Sequence, residues 1–208
     1  MLDKKTKKTG RVYDRIAPVY DKFEAFIERK LFKNLRQKSL ENLKGQLLEI
    51  GVGTGKNLQY YTTEAKVIAI DISPKMLERA KNKAKKLGKD IEFHLMDAQE
   101  LKFKDNSFDF VIGTFVLCSI PNPIKALKEV QRVLKKGGKA IFLEHVLSKN
   151  KLIALLEHLH NPITSGLFGF NVNRNTRKNI LNAGINIVSD EELAFFDVFR
   201  KFTCTKGG

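Results

Sequence analysis

Glu49-Ile50-Gly51-Val52-Gly53-Thr54-Gly55 is the stretch on which the fold turns. It closes the expected strand that begins Gln46-Leu47-Leu48 with three glycines at alternate positions. Glycine lets a backbone turn tightly and come close to a ligand, and a helix that follows offers free N–H groups. A strand that ends this way opens a βα unit. Working outward, strands are expected at 46–50, 66–70, 91–95, 108–113 and 138–144, and helices at 56–61, 74–87 and 124–135. In the last, Ile124, Leu127, Val130, Val133 and Leu134 fall on one face. Ser73-Pro74 reads as helix cap and first helical residue. Near-continuous apolar strands between helices of this length predict a parallel sheet covered on both faces. Runs at 185–189 and 194–204 would add two strands. The fold class is α/β, a doubly wound, mostly parallel, seven-stranded sheet.

The 208 residues suit one domain, with 42% hydrophobic and 29% charged residues. Residues 1–10 read as an unstructured basic tail, 11–43 as a helical arm, 44–146 as the core, 147–180 as a helical lid insertion and 181–208 as the C-terminal strands. In the arm, Phe23, Phe26, Ile27, Leu31 and Leu35 recur at helical spacing after a break at Pro18. The first residues are charged with no apolar stretch behind them, so no secretory signal is read. The run Leu152–Leu156 stops at Glu157, far short of the ~20 residues that span a bilayer. A cytoplasmic protein, or one peripheral at a membrane, is expected. Cys118 and Cys204 are far apart and form no C-x-x-C, which argues against a redox pair or a zinc site. His158 and His160 point apart on a helix, so no metal site is read. The net charge of +15 has two readings. It attracts an anionic partner, such as a membrane surface, or it is lysine on solvated helix faces.

A glycine loop alone is weak evidence. The dinucleotide fingerprint G-x-G-x-x-G/A fails, because its sixth position is Lys56. The second strand ends at Asp71, 20 residues after Gly51, where an acid accepts ribose hydroxyls. Asp97-Ala98 follows the third strand, where a carboxylate meets the exocyclic amine of adenine.

From Glu49 through Gly138 the chain resembles the class I methyltransferases, a Rossmann-like family. Glu49–Gly55 is similar to the family's first motif, Asp71 to its ribose-binding acid and Asp97 to its adenine-binding acid. Ser107-Phe108-Asp109-Phe110-Val111 and Leu134-Lys135-Lys136-Gly137-Gly138 are similar to its later motifs. The resemblance implies S-adenosylmethionine as cofactor and S-adenosylhomocysteine as product. It implies that Glu49, Gly51, Gly53, Gly55, Asp71, Ile72, Met76, Asp97 and Ala98 bind the cofactor, with Thr114 and Phe115 beside the sulfonium.

The pattern Tyr13-Asp14-Arg15-Ile16-Ala17-Pro18-Val19-Tyr20-Asp21 resembles the N-terminal arm of ubiquinone/menaquinone C-methyltransferases, and also of bacterial phosphatidylethanolamine N-methyltransferases. This implies that the arm folds over the cofactor, that Tyr13 and Tyr20 line the methyl-transfer pocket, and that Tyr20 is a catalytic residue. The other reading is packing of the first helix. Phe115–Pro123, Leu143-Glu144-His145 and Asn171–Thr176 look more like the phospholipid and small-thiol branch. The expected acceptor is a phospholipid amine or a small thiol, with a quinone as the alternative. A basic RNA-associated module, or an adenosylmethionine-binding protein without turnover, is the alternative of another class. Nucleic acid is disfavoured because Thr114-Phe115-Val116-Leu117 stands where amino-directed DNA enzymes carry Asp/Asn-Pro-Pro-Tyr/Phe.

His145, at the tip of the fifth strand, is read as a general base beside the cofactor or as a hydrogen-bonded strand end. Pro162–Phe170 is apolar with two glycines, suited to a greasy ligand, a membrane interface or a core-packed turn. Phe168 and Phe170 are the acceptor-binding expectations there. Arg174 and Arg177 are the expected donors to a phosphate or carboxylate.

Overall fold

The structure is a computed structural model that describes residues 3–28, 32–194 and 197–207, with backbone alone for 22–27. Helix α1 (Lys4–Ile27) and α2 (Lys33–Leu40) precede β1 (Gly45–Ile50). Then come β2 (Ala65–Asp71), α3 (Pro74–Leu87), β3 (Ile91–Leu95), β4 (Phe108–Thr114), α4 (Pro123–Val133) and β5 (Leu134–His145). Helices α5 (Lys151–Ile163) and α6 (Thr176–Asn182) lead to β6 (Asn186–Ala194) and β7 (Phe199–Thr205). The strand order is β3-β2-β1-β4-β5-β7-β6, with β7 antiparallel to both its neighbours and the pairs among β1–β5 parallel. The order reverses between β1 and β4, and open α/β sheets bind ligands at such a switch point.

Alternating side chains divide the core. Leu48, Val111, Ala140 and Phe142 pack with α4 and α6 on one face. Leu47, Ile112 and Ile141 pack with α2 and α3 on the other. Local chemistry fixes the helix ends. The Ser73 hydroxyl accepts from the Met76 N–H and Pro74 opens α3, which Gly88 closes in the left-handed region. Asn122 caps α4 in the same way.

Three expectations are corrected. The expected tail is helical from Lys4, because the Asp3 carboxylate accepts from the N–H groups of Lys5 and Thr6 and caps α1. Helix α1 also passes through Pro18. Arg79 donates to the carbonyls of Ala17 and Pro18, which holds the helix across the proline. The helix expected at 56–61 is a single 3₁₀ turn at Leu58–Tyr60, since Asn57 and Tyr61 on either side both turn inward to Glu49. Leu31 lies outside the described residues, as do the side chains of Phe23, Phe26 and Ile27.

Candidate active site

A cleft of about 880 Å³, solvent included, opens over the C-terminal tips of β1, β2 and β4. Its walls hold Glu49, Asp71 and Asp97, one acid from each of three successive strand ends. Asp71 is buried and accepts from the N–H of Gly53 at 2.8 Å and of Ser73 at 2.9 Å, one on each oxygen. Its carboxylate is thus fixed between the glycine loop and the start of α3, with further lone pairs to offer. Burial pushes its pKa up, against the pull of these N–H groups. Gly51 has φ +65, and a Cβ there would run into Val116. Gly53 has φ +55 and faces open space, so the backbone of the loop is left accessible in the cleft. Asp97 holds the Gln99 side chain at 3.0 and 3.1 Å, and Gln99 also donates to Thr6 of α1.

The deepest polar group is Glu49, which is 1% exposed. It accepts from Asn57 Nδ2 at 2.7 Å and Tyr61 Oη at 2.9 Å. Burial outweighs these bonds and raises its pKa to about 7. Asn57 in turn accepts from Arg36 Nη1 at 2.8 Å, and Arg36 donates to Thr114 Oγ1 at 2.7 Å. Arg36 is buried and paired with Glu28 at 2.8 Å. Phe115, just past β4, has φ 54, a conformation that costs a non-glycine residue on the order of 1 kcal/mol or more. Its ring lies 5.2 Å from the Arg36 guanidinium.

Helix α1 crosses the strand tips, and its Tyr-Asp repeat divides the labour. Tyr13 and Tyr20 line the cleft, their rings 6.4 Å apart. The aspartates are clamps. Asp14 accepts from Ser73 Oγ at 2.6 Å and the Lys75 N–H at 3.2 Å, and Asp21 accepts from Thr54 Oγ1 at 2.6 Å.

Residues 48–142 match the model of the methyltransferase domain family. Residues 48–142 are a class I methyltransferase domain. The chain is 37% identical over 115 residues to a phosphatidylethanolamine N-methyltransferase of Cereibacter sphaeroides, covering 54% of this chain and 57% of that one. It is 38% identical over 141 residues to a thiol S-methyltransferase of Rattus norvegicus, covering 66% and 57%. A ubiquinone/menaquinone biosynthesis C-methyltransferase of Rickettsia felis is 34% identical over 154 residues, covering 67% and 62%. The chain therefore spans little more than half the length of the first of these relatives. A solved [4+2]-cyclase superposes with a TM-score of 0.78 at 18% identity, over 97% of each chain, which is a likeness of fold.

The methyltransferase domain and its arm bring Tyr13, Tyr20, Glu49, Gly51, Gly53, Asp71, Ile72, Met76, Asp97, Ala98, Thr114 and Phe115 into the one cleft. Gly55 is not in its lining; it packs on Leu58 and Ala80, where a Cβ would meet the Leu58 side chain at 2.7 Å. The expectations beyond the cofactor motifs fare differently. His145 does not line the cleft. It pairs in register with Phe199 of β7, and its ring stands edge-on to Phe199 at 5.2 Å, behind the Phe115–Phe199 contact. Its Nε2 is 3.6 Å from Glu157, and burial lowers its pKa to about 4. Arg174 is half-buried and donates to the Ile120 carbonyl at 2.9 Å, which ties the insertion to the cleft rim. Arg177 is turned away toward Asp190 at 3.3 Å. Phe168 and Phe170 meet each other with tilted rings 6.2 Å apart, outside the cleft lining. Their segment nevertheless meets the arm, for Arg15 donates to the Leu167 carbonyl at 2.9 Å and Gly169 packs on Val12 and Tyr13.

Among the cleft residues, Arg36, Asn57 and Thr6 escaped sequence reasoning. Helical periodicity in the arm marks apolar positions and is silent on a buried arginine. The Asp3 cap was the available signal that Thr6 belonged to ordered structure.

Proposed function

We propose that the chain transfers a methyl group from S-adenosylmethionine to a small apolar or amphiphilic nucleophile, a thiol first and a phospholipid amine second. The observation that carries this reading is the single cleft that collects Glu49, Asp71 and Asp97 with no histidine among its described lining residues. When bound, the cofactor supplies an electrophilic methyl on a sulfonium. Asp71 suits the ribose hydroxyls, because its two oxygens are already oriented by backbone N–H groups. Asp97 and Ala98 suit adenine. Glu49 suits the cationic amino group of the amino-acid end, and Arg36, through Asn57 and Thr114, sets the polarity around it. Tyr13, Tyr20, Phe115, Ile120 and Pro121 form the less polar wall. With the cofactor bound, this wall would exclude water and hold an acceptor against it, and such positioning supplies much of the acceleration in a displacement.

An amine must lose a proton before attack, and His145 is withdrawn behind Phe199 and held well below neutral. A thiol ionises without such help, which ranks it first. For RNA, a surface with exposed stacking aromatics is needed. Phe168 is the one aromatic among the exposed large apolar side chains described.

The experiment is a turnover screen that measures S-adenosylhomocysteine with small alkyl thiols, phosphatidylethanolamine vesicles, a demethylated quinol and RNA. Thiol turnover that tracks thiolate concentration with pH is expected. Turnover with quinol or RNA alone sinks the acceptor assignment. Cofactor binding with no turnover on any of the four sinks the activity.

A further inference from the structure

We propose that the outward face of α5, with the turn after it, is a docking surface for an anionic lipid bilayer. This goes beyond the acceptor assignment and stands without it, since it rests on a surface outside the cleft.

Helix α5 is built inside out. Its inner face mixes the half-buried Ile153 and Ala154 with polar groups that bond to the body of the protein. Glu157 is buried and accepts from the Ser148 N–H at 2.9 Å, and Asn161 Oδ1 accepts from the Val172 N–H at 3.1 Å. Its outer face carries Leu152, Leu155, Leu156, Leu159 and Ile163, each between 54% and 74% exposed, and the following turn adds Leu167 at 56%. At about 100° per residue, those five helical positions fall within one stripe of about 100° on the helix. A helix that needed only to cover the core would turn such a stripe inward. Contiguous exposed leucines mark an interaction surface.

Charge selects the occupant. Between His145 and Ser189 the one acid is Glu157, and it is turned inward. Lys149 and Lys151 are exposed at the start of α5. Lys4, Lys5, Lys8, Arg11 and Arg15 rim a shallow depression along α1. The Arg15–Leu167 bond makes that basic surface continuous with the apolar stripe. Besides Glu157, the acid nearest the stripe among the described residues is Asp197, half-buried and tied to Ser148 and the Lys149 N–H, so leucines flanked by exposed cations match acyl chains under anionic head groups. A second copy of a chain of charge +15 would meet a like-charged surface instead. The surface also adjoins the cleft. Gly169 packs on Tyr13, and Asn171 donates from its backbone and side chain to the Cys118 carbonyl beside the rim. A bilayer on α5 would thus lie next to the cleft wall.

The test is flotation of the full chain with vesicles of phosphatidylcholine, alone or mixed with phosphatidylglycerol, in low and high salt. The wild type should float with the mixed vesicles and be released by salt. L155S/L159S should partition about tenfold more weakly with its cofactor affinity unchanged, because both leucines are exposed and away from the cleft. The chain has no tryptophan, so L159W is a sole reporter, and its emission should shift to the blue when mixed vesicles are added. Equal flotation of L155S/L159S, or no flotation of the wild type, overturns the proposal. So does binding that ignores lipid charge. A concentration-dependent dimer that L155S/L159S abolishes, without vesicle binding, assigns the face to a second copy instead.

Discussion

Replacing Glu49 by Gln should remove a pH dependence that the burial of this one carboxyl creates. Glu49 is almost inaccessible, its neighbours Asn57 and Tyr61 are neutral donors, and its pKa is raised from 4.5 to about 7. Arg36 acts on it through Asn57, and the Arg36 charge is itself matched by Glu28. The protein alone therefore holds a proton on Glu49 over much of the acid range, and a cationic ligand must displace it. With a pKa near 7, the ionised fraction is about 3% at pH 5.5 and about one half at pH 7. Affinity for S-adenosylhomocysteine should then rise about 15-fold between those values, or about 1.6 kcal/mol. Near pH 7 about half a proton should be released on binding. Titration calorimetry from pH 5.5 to 7, in buffers of different ionisation enthalpy, measures both. In Glu49→Gln the affinity at pH 7 should be at least about tenfold weaker, and the slope with pH should vanish. A slope that persists in the variant, or wild-type affinity that is flat with pH, refutes the assignment of Glu49 to the ligand's cationic end.

Asp71→Ala should weaken cofactor binding by about 1–3 kcal/mol in calorimetry and also lower Tm, because Gly53 and Ser73 lose their acceptor. Unchanged affinity would remove Asp71 from the site, and a preference for NAD would undo the reading of the glycine loop. Asp14→Ala and Asp21→Ala each remove a clamp on α1, so limited proteolysis should cut the arm sooner while near-ultraviolet signals of the core persist. Equal protection would mean the arm is held elsewhere. Glu144 is buried, accepts from the N–H groups of Val116 and Leu117, and has its pKa raised to about 8. A raised carboxyl contributes stability below its unfolded pKa of about 4.5 and loses it as pH rises toward 8, so Glu144→Gln should flatten the fall in denaturant midpoint between pH 5 and 8. An unchanged fall would leave Glu144 ionised in the fold.

The sequence by itself determined what depends on neighbours along the chain. Strand, glycine loop and acid recur within twenty-odd residues, and so do the caps at Ser73 and Asn122, because strand alternation and helix capping are local physics. That was enough to place β1 to β5 and to bring nearly all the expected cofactor residues to one cleft. Tertiary structure decided what depends on partners far apart. Arg36 reaches Thr114 and Thr6 reaches Gln99 across separations of 78 and 93 residues, and no periodicity encodes such pairs. His145 sits at the tip of β5, but the register of β7 alone puts Phe199 opposite it and screens its ring from the cleft. Helix α5 makes the same point about faces. The sequence shows the short apolar run Leu152–Leu156, and an apolar run does not say whether it looks inward or outward. Only the packing, with Glu157 and Asn161 bonded to the body of the protein, turned the leucines toward the outside.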